Sequence, residues 1–274
     1  MCCLFKPIKY LKKVNLKVNK PLLSVITVCY NSEKTIKRTI ESLLVQSFKG
    51  FEYIIIDGKS SDKTIEIIKS YEKEFKKNKI CFKWISEKDK GLYDAINKGI
   101  SLASGDIIAN LNSDDFYIDE NVISDVVSKF EGENTDLLYS DLYYVDPKNT
   151  NKVIRNWKSG KYNRNNFLFG WMPPHPTFFV RSELYKKYGT FNLALKSAAD
   201  YELMLRFLFK HGASASYIHR PLVRMRVGGV SNASLKNRWK ANQEDRKAWK
   251  INQLKPNPFT LILKPLRKLK QFIK

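Results

Sequence analysis

The stretch Ile107-Ile108-Ala109-Asn110-Leu111-Asn112-Ser113-Asp114-Asp115-Phe116 joins an apolar segment to two adjacent carboxylates. Residues 107–111 are typical of a buried strand, and the two aspartates follow the point where that strand would end. In open α/β sheets, ligands bind outside the carboxyl ends of the strands. Carboxylate oxygens at that edge suit Mg²⁺ or Mn²⁺ shared with a diphosphate. An acidic turn that caps the next helix also explains the pair, since Asp is a preferred turn residue.

The segments around this stretch alternate between strand and helix patterns. Ser24–Asn31 is a strand-like run that ends in turn residues, and Glu52–Gly58 is another that ends with the carboxylate Asp57. Ser32 and Asp62 are placed to cap helices. The patterns predict strands at 23–30, 52–57, 80–86, 106–111 and 136–143, and helices at 33–47, 62–77, 92–103 and 120–130. Such alternation predicts βαβ units, and therefore an α/β fold with a mainly parallel central sheet flanked by helices.

The second half of the chain is less regular. Residues 146–171 are polar and suggest irregular structure, followed by elements predicted at 177–181, 182–188, 200–210, 217–227 and 235–253. We therefore expect a basic arm at 1–20, a catalytic body at 21–235 and a basic helical tail at 236–274. The body would divide into halves at 21–116 and 117–235.

The positive charge is concentrated at the two ends. Of a net charge of +22 over 274 residues, residues 1–20 carry +6 and residues 236–274 carry +10, which leaves +6 for the body. Basic ends on a moderately charged body predict a negatively charged partner, either an anionic membrane surface or nucleic acid. No helix-turn-helix, zinc-finger or RRM signature is present, so we expect no nucleic acid.

The sequence predicts a location inside the cell. Lysines interrupt residues 1–20 before an apolar signal-peptide core could form, and no run of about 18 apolar residues occurs. The four cysteines and three histidines show neither a disulfide framework nor metal-ligand spacing. We therefore expect a cytoplasmic protein, peripheral on the inner face of the cell membrane.

Four motifs, in order, resemble family 2 glycosyltransferases with the GT-A fold. They are Ser24–Asn31, the segment from Asp57 to Thr64, the segment from Asp89 to Gly99, and the pair Asp114-Asp115. The resemblance covers residues 21–116 and implies an enzyme that takes a sugar from a nucleotide-diphosphate donor to a saccharide acceptor. It also implies an inverting mechanism and a Mn²⁺ or Mg²⁺ cofactor.

The resemblance assigns donor-binding residues at the strand ends. It implies that Asp57 contacts the nucleobase, usually uracil, and that Asp89 lies near the ribose or the donor sugar. Other residues expected to line this pocket are Thr27, Tyr30, Asn31 and Glu33. Asp57 is also explained as a turn or helix-capping residue. Gly58-Lys59-Ser60 is not a P-loop, because that motif requires Gly where Tyr53 stands.

The same resemblance implies that Asp114 and Asp115 bind a divalent cation, with Asp115 as the first choice. The cation would neutralise charge on the leaving diphosphate. The more common form of the motif has an acid at its first position, where this sequence has Asn112. Asn offers an oxygen without charge.

Ser197–Glu202 resembles the family motif that carries the general base, and Asp200 is the residue that would remove the acceptor's proton. Ala199 stands where an acid is more usual. A simple helix cap is the alternative for Asp200. Trp171 and His175 are expected in the acceptor cleft, although a structural loop histidine explains His175 equally well.

Two basic segments remain open to alternative interpretations. Arg224 and Arg226 precede Gly228-Gly229 and resemble a loop that touches donor phosphates, or they are surface charge. After Pro265, apolar residues recur at helical spacing among basic ones: Leu266, Leu269, Phe272 and Ile273. This predicts a helix on an anionic membrane, or one packed on the catalytic domain or a second subunit.

The predicted function is transfer of a sugar from a UDP-sugar to a lipid-linked saccharide, in the synthesis of a bacterial surface polysaccharide such as O-antigen or capsule. A sugar nucleotidyltransferase shares the layout and the metal. It usually has a Gly-rich basic segment after the first strand, which Tyr30-Asn31-Ser32-Glu33 lacks. A basic nucleic-acid-binding protein is the other alternative.

Overall fold

The computed structural model describes residues 21–228, 235–267 and 271. The basic arm expected at 1–20 lies outside the described residues, as do Leu269, Phe272 and Ile273 of the predicted tail helix. In the described part, the strands are β1 Leu23–Cys29, β2 Phe51–Asp57, β3 Cys81–Ser86, β4 Ile107–Asn110, β5 Phe116–Tyr117, β6 Leu137–Val145, β7 Val153–Trp157, β8 Phe179–Arg181 and β9 Ala215–Arg226.

These strands form one mixed sheet in the order β3-β2-β1-β4-β8-β6-β9-β5, with β7 paired to β6. Strands β1 to β4 pair in parallel, and β6 pairs in parallel with β9. The short strand β8 is antiparallel to both β4 and β6, so β6 and β9 run in the same direction as β1 to β4. The carboxyl ends of these six strands therefore lie along one edge, which is where the sequence places its polar motifs.

The helices connect these strands and cover the sheet. They are α1 Ile36–Leu44, α2 Thr64–Ser70, α3 Glu72–Lys77, α4 Leu92–Leu102, α5 Val122–Gly132, α6 Ser182–Tyr188, α7 Ala199–Met204, α8 Leu235–Ile251 and α9 Thr260–Arg267. The single helix predicted at 62–77 is divided at Tyr71. A π-helical segment, Leu205–Lys210, continues α7.

The predicted caps act in different ways. Asp62 accepts hydrogen bonds from the backbone N–H of Thr64 (3.0 Å) and from that of Glu33 (3.0 Å), so it holds two loops together. Ser32 instead uses its carbonyl, which accepts from the N–H groups of Thr35 and Ile36. The sequence therefore identified the helix starts but not the atoms that satisfy them.

Two hydrophobic clusters fill the two faces of the sheet. Ile26, Ile54 and Val180 belong to the cluster that includes α4 and α7, while Val25 and Ile55 belong to the cluster that includes α1 and α5. Both faces are covered, so strands β1 and β2 are buried along their whole length. This explains why they read as continuous apolar runs rather than as alternating patterns.

The region predicted to be irregular, 146–171, contains strand β7 and a 3₁₀ helix, Arg164–Phe169. Strand β7 pairs antiparallel with the end of β6. Its first residues, Val153 and Ile154, are 40% and 39% exposed, and polar residues flank them. The apolar signal of a strand is therefore weak there, and the prediction of irregular structure was wrong at 153–157.

The basic tail is integrated into the body, which corrects the expectation of an appendage beginning at 236. Trp249 of α8 is 1% exposed and its Nε1–H donates to the Tyr201 hydroxyl (3.0 Å). Leu261 of α9 belongs to the same core cluster. Pro265 cannot donate to the carbonyl of Leu261, and the side-chain amide of Asn242 fills that position (3.0 Å). Among the described helices, none is long and apolar enough to cross a membrane.

Candidate active site

The loops after β1 and β2 are tied together by the polar side chains expected to bind a donor. Asn31 adopts a left-handed backbone conformation (φ 48°), donates its N–H to Ser60 Oγ (2.8 Å) and accepts from the N–H of Ser61 (2.9 Å). Glu33 accepts from the N–H of Lys63 (3.1 Å). These contacts give Asn31 and Glu33 a role in shaping the pocket wall.

Asp57 ends β2 with a fully buried carboxylate whose oxygens are both engaged. Oδ1 accepts from the hydroxyl of Ser60 (2.5 Å) and from the thiol of Cys29 (3.5 Å). Oδ2 accepts from the N–H of Ser60 (3.0 Å) and the hydroxyl of Ser86 (2.6 Å). A carboxylate has about four lone-pair sites. Asp57 therefore organises the turn, and a nucleobase N–H would have to displace one of these donors.

Tyr30, Gly58 and Asp89 lie close together at this edge. Tyr30 is 65% exposed, and a Cβ built on Gly58 would lie 2.5 Å from Asp89 Oδ2 and 3.4 Å from the Tyr30 ring. Asp89 Oδ1 accepts from the N–H of Gly91 (2.8 Å). The side chain of Thr27, by contrast, is fully buried within β1. Asp89 and Tyr30 therefore fill the space that a side chain at position 58 would need, which explains the glycine there.

Asp115 is buried at the end of the segment that follows β4. Its Oδ2 accepts from the side-chain amide of Asn112 (2.9 Å), whereas its Oδ1 has no hydrogen-bond partner among the described residues. Burial raises the pKa of Asp115 well above its usual range, and the neighbouring Asp114 raises it further. A buried carboxylate with an unpartnered oxygen is costly, so the protein holds this group at the expense of stability.

Arg226, at the end of β9, supplies positive charge to the same pair. Its guanidinium donates to the Asp114 carbonyl oxygen and lies 5.4 Å from the centre of the Phe116 ring. The guanidinium of Arg38 lies 4.9 Å from that ring. Burial raises the pKa of Asp114, and the charge of Arg226 opposes this shift. Two cationic side chains therefore border the acidic pair.

The donor set fits a divalent cation that a diphosphate helps to hold. Asp115 Oδ1 is an unpartnered carboxyl oxygen, and Asp114 adds a second carboxyl group with a raised pKa. The described residues contain no group of three or more His, Cys, Asp and Glu side chains that could hold a metal on their own. This agrees with Mg²⁺ chemistry, in which one or two carboxylates and the substrate phosphates complete the coordination.

Asp200 lies in the first turn of α7 with one oxygen engaged. Its Oδ1 accepts from the N–H of Tyr201 (2.8 Å) and from the hydroxyl of Tyr93 (3.3 Å). No described donor contacts Oδ2. Tyr93 lies in the first turn of α4, after Gly91, and the family resemblance did not identify it as a site residue. The two donors hold the carboxylate in one orientation and leave an oxygen that can accept a proton.

The amino end of α7 is capped by another residue, Glu244 of α8. Glu244 Oε2 accepts from the N–H groups of Ser197 (2.6 Å) and Ala198 (3.1 Å), and from the hydroxyl of Ser197 (2.8 Å). These donors precede the first turn of α7, whereas the N–H of Tyr201 within that turn is accepted by Asp200. Glu244 and Asp200 therefore both hold the start of α7, and a capping role for Asp200 stands beside the catalytic one.

Tyr144, on β6, is affected by the charges of both the acidic pair and Asp200. Burial raises its pKa, and the charges of both Asp115 and Asp200 contribute to the same shift, so both carboxylates act on one phenol. The Arg155 guanidinium of β7 lies 3.7 Å from the centre of the Tyr144 ring. Neither residue was expected from the sequence, because Val153-Ile154-Arg155-Asn156-Trp157 does not alternate between apolar and polar residues.

The two residues expected to contact an acceptor occupy different positions. Trp171 is 4% exposed, and its Nε1–H donates to the Ser159 carbonyl (2.8 Å), so it belongs to the core. His175 packs edge-on against Phe191 (5.5 Å), and its Nε2 is buried without a partner among the described residues. Burial lowers the pKa of His175, although the charge of Asp200 acts in the opposite direction. The charge of Asp200 therefore acts on His175, whereas Trp171 is a core residue.

Comparison with known proteins agrees with this geometry. The family model "Glycosyl transferase family 2" matches residues 24–189. An uncharacterized glycosyltransferase of Mycobacterium tuberculosis is 32% identical over 188 residues, which cover 68% of this chain and 68% of that protein. The chain belongs to glycosyltransferase family 2.

Solved structures show the same fold. TarS 1-349 of S. aureus, crystallised with UDP-GlcNAc, superposes with a TM-score of 0.64 at 19% identity, over 84% of this chain and 65% of that one. A mannosyltransferase from Pyrobaculum calidifontis, in complex with GDP-Man and Mn²⁺, gives a TM-score of 0.61 at 18% identity, over 89% and 68% of the two chains. The chain thus spans about two thirds of each of these structures. The curled, mainly parallel sheet is a GT-A fold.

Proposed function

We propose that this family 2 glycosyltransferase is an inverting, metal-dependent hexosyltransferase that uses a nucleotide-diphosphate sugar. The observation that carries the proposal is the orientation of Asp200. Two donors fix its Oδ1, its Oδ2 has no described donor, and Tyr144 lies within the field of both Asp200 and Asp115. The charges of Asp200 and Asp115 both raise the pKa of Tyr144, which supports a base and an acidic pair that serve one reaction.

In the proposed reaction, Asp200 Oδ2 removes the proton of an acceptor hydroxyl as that oxygen attacks the anomeric carbon. The bond from the anomeric carbon to the diphosphate breaks, and its electron pair leaves with the nucleoside diphosphate. A single displacement of this kind inverts the anomeric configuration, so an α-linked donor gives a β-linked product. Tyr93 and the N–H of Tyr201 hold Asp200 in the required orientation.

The leaving diphosphate would meet the acidic pair and its cationic neighbours. Asp115 and Asp114 would hold a Mn²⁺ or Mg²⁺ ion, which supplies counter-charge to the diphosphate when bound. Arg226, held against the Asp114 carbonyl, would add a fixed positive charge on the same side. Arg226 lies at the end of β9 beside Asp114, and this position favours contact with donor phosphates over a role as general surface charge.

The nucleotide would occupy the edge near Tyr30. We infer a UDP-sugar, with the base on the exposed Tyr30 ring beside Gly58 and the ribose toward Asp89. The structure of TarS with UDP-GlcNAc supports a uridine donor. Asn31, Glu33 and Asp57 would contribute by holding the loops that form this wall.

The acceptor would enter beside His175 and Asp200. We propose a lipid-linked saccharide used in bacterial surface polysaccharide synthesis, an assignment that rests on the family resemblance and on the basic ends of the chain. Such an acceptor would place the enzyme in the cytoplasm, peripheral on the inner face of the cell membrane. A confined acceptor makes membrane proximity useful, because enzyme and substrate then share one surface.

A donor screen tests this function directly. The protein is incubated with Mn²⁺ and each of several UDP-, GDP- and dTDP-sugars, and the released phosphate species is identified. We expect release of a nucleoside diphosphate from one donor class. Release of pyrophosphate from a nucleoside triphosphate and a sugar phosphate would instead identify a nucleotidyltransferase and overturn the proposal.

A further inference from the structure

Helix α9 is bound to the body through one side only. Thr260 donates its hydroxyl to the Leu168 carbonyl (2.6 Å), and Leu261 is 5% exposed. Gly170 (φ 76°) allows the close approach, since a Cβ there would lie 2.4 Å from the Lys264 nitrogen. Lys264 is also turned inward, to Asp245 (2.6 Å). The docked side of α9 thus uses its polar and apolar groups within the fold.

The opposite side of α9 is apolar and exposed. Phe259 is 66% exposed, Ile262 56% and Leu266 49%, at spacings that place them on one helical face. Phe169 ends the 3₁₀ helix Arg164–Phe169 and is 50% exposed, and its carbonyl accepts from the Arg267 guanidinium (3.5 Å). We call the four residues Phe169, Phe259, Ile262 and Leu266 the α9 face. Large exposed apolar groups in one patch mark an interaction surface.

The segments that carry the α9 face contain no acid. Residues 147–182 and 246–274 include neither Asp nor Glu. The exposed cations described on these segments are Lys148, Lys152, Lys158, Lys161, Arg164, Arg246, Lys247, Lys250, Lys255 and Arg267. An apolar patch on segments that carry cations and no acids complements the surface of an anionic bilayer, which has an apolar interior and negatively charged headgroups.

We propose that the α9 face binds an anionic lipid bilayer. Its aromatic and aliphatic side chains would enter the interface between headgroups and acyl chains, while the flanking Lys and Arg side chains contact anionic headgroups. A second copy of the chain is a poorer occupant. Pairing two such faces would bring two acid-free, basic surfaces together, and like charges oppose that contact.

Membrane binding by the α9 face would assist catalysis, a role that rests on the proposed function. Lys264 of α9 lies 3.5 Å from the centre of the Tyr201 ring, and Tyr201 follows the candidate base Asp200 in the chain. The docked helix is therefore next to the acceptor half of the site. A bilayer held against the α9 face would keep a lipid-linked acceptor near Asp200.

The test compares two matched double variants in the full chain. Ile262→Gln with Leu266→Gln changes two exposed residues of the α9 face, and Gln retains good helix propensity. Val45→Gln with Leu193→Gln is the control, because those side chains are equally exposed (60% and 50%) and lie elsewhere. Each protein is sedimented with phosphatidylcholine vesicles, with and without phosphatidylglycerol, at low and high salt.

We expect the wild type and the control to bind the anionic vesicles, less at high salt, and the α9 variant to bind about tenfold more weakly or worse. Equal binding by the two variants overturns the proposal. So does vesicle-independent dimerisation in sedimentation velocity that the α9 variant abolishes, since a second copy would then occupy the face. Hydrolysis of the donor in solution is measured in parallel. Loss of vesicle binding with normal hydrolysis separates this surface from the catalytic function.

Discussion

Replacement of Asp200 by Asn tests the proposed base with little change in shape. Asn keeps an oxygen that can accept from the N–H of Tyr201 and the hydroxyl of Tyr93, as Asp200 Oδ1 does. Glu244 continues to cap α7. The fold should therefore retain its stability, and only the ability of the second side-chain atom to accept a proton is lost.

The expected loss follows from the role of that atom. A positioned general base contributes roughly 10²–10⁴-fold, which corresponds to about 3–5 kcal/mol of transition-state stabilisation. Because the acidic pair and the Tyr30 edge are unchanged in Asp200→Asn, donor binding should persist. We therefore expect kcat for transfer to fall by about 10²–10⁴-fold, with the donor Kd and the melting temperature near wild type.

The matched control is Asp136→Asn. Asp136 also accepts from one N–H (2.8 Å) and one hydroxyl (2.9 Å), both of Ser214, but it precedes β6 at the opposite edge of the sheet. It should transfer sugar at the wild-type rate. Full transfer activity in Asp200→Asn would refute the reasoning and leave Asp200 a structural role. A large fall in melting temperature would show instead that its charge is needed for folding.

Two further predictions concern the neighbours of the base and the acidic pair. Asp115→Asn should abolish Mn²⁺-dependent stabilisation and lower turnover by orders of magnitude, and EDTA should stop the wild type. Because the ionised, buried Asp115 is destabilising above its raised pKa, the variant should melt at a higher temperature than the metal-free wild type near neutral pH. An unchanged response to Mn²⁺ in calorimetry would contradict the metal assignment. Tyr93→Phe keeps the ring stacked on Phe191 (5.4 Å) but removes a donor to Asp200, so kcat should fall about tenfold at unchanged donor KM. An unchanged kcat in Tyr93→Phe would show that Tyr93 only packs.

The strands and the acidic pair were predictable because their signals are local. Strands β1 and β2 are buried on both faces and read as uninterrupted apolar runs, and polar residues follow each at the same edge. The position of Asp114-Asp115 after β4 follows from the same pattern. The complete burial of the Asp115 carboxylate was not predictable in this way, because this residue lies in a polar turn.

The remaining features depend on contacts between distant segments. Glu244 holds the start of α7 although it lies 47 and 46 residues after its partners Ser197 and Ala198. Tyr144 and Arg155 come together only because β7 folds back on β6. No pattern in the basic tail indicated that Trp249 would fill the core below Tyr201. Periodicity predicts the face of an element, but it does not predict which distant element covers that face.

The anomeric configuration of the product tests the central claim most directly. The donor and acceptor found by screening are incubated with the enzyme, and the new glycosidic linkage is assigned by proton NMR from the anomeric coupling constant. A single displacement assisted by Asp200 predicts a β-linkage from an α-linked donor, formed together with one equivalent of nucleoside diphosphate. An α-linked product would contradict the account, because retention requires a different arrangement from one base and one displacement.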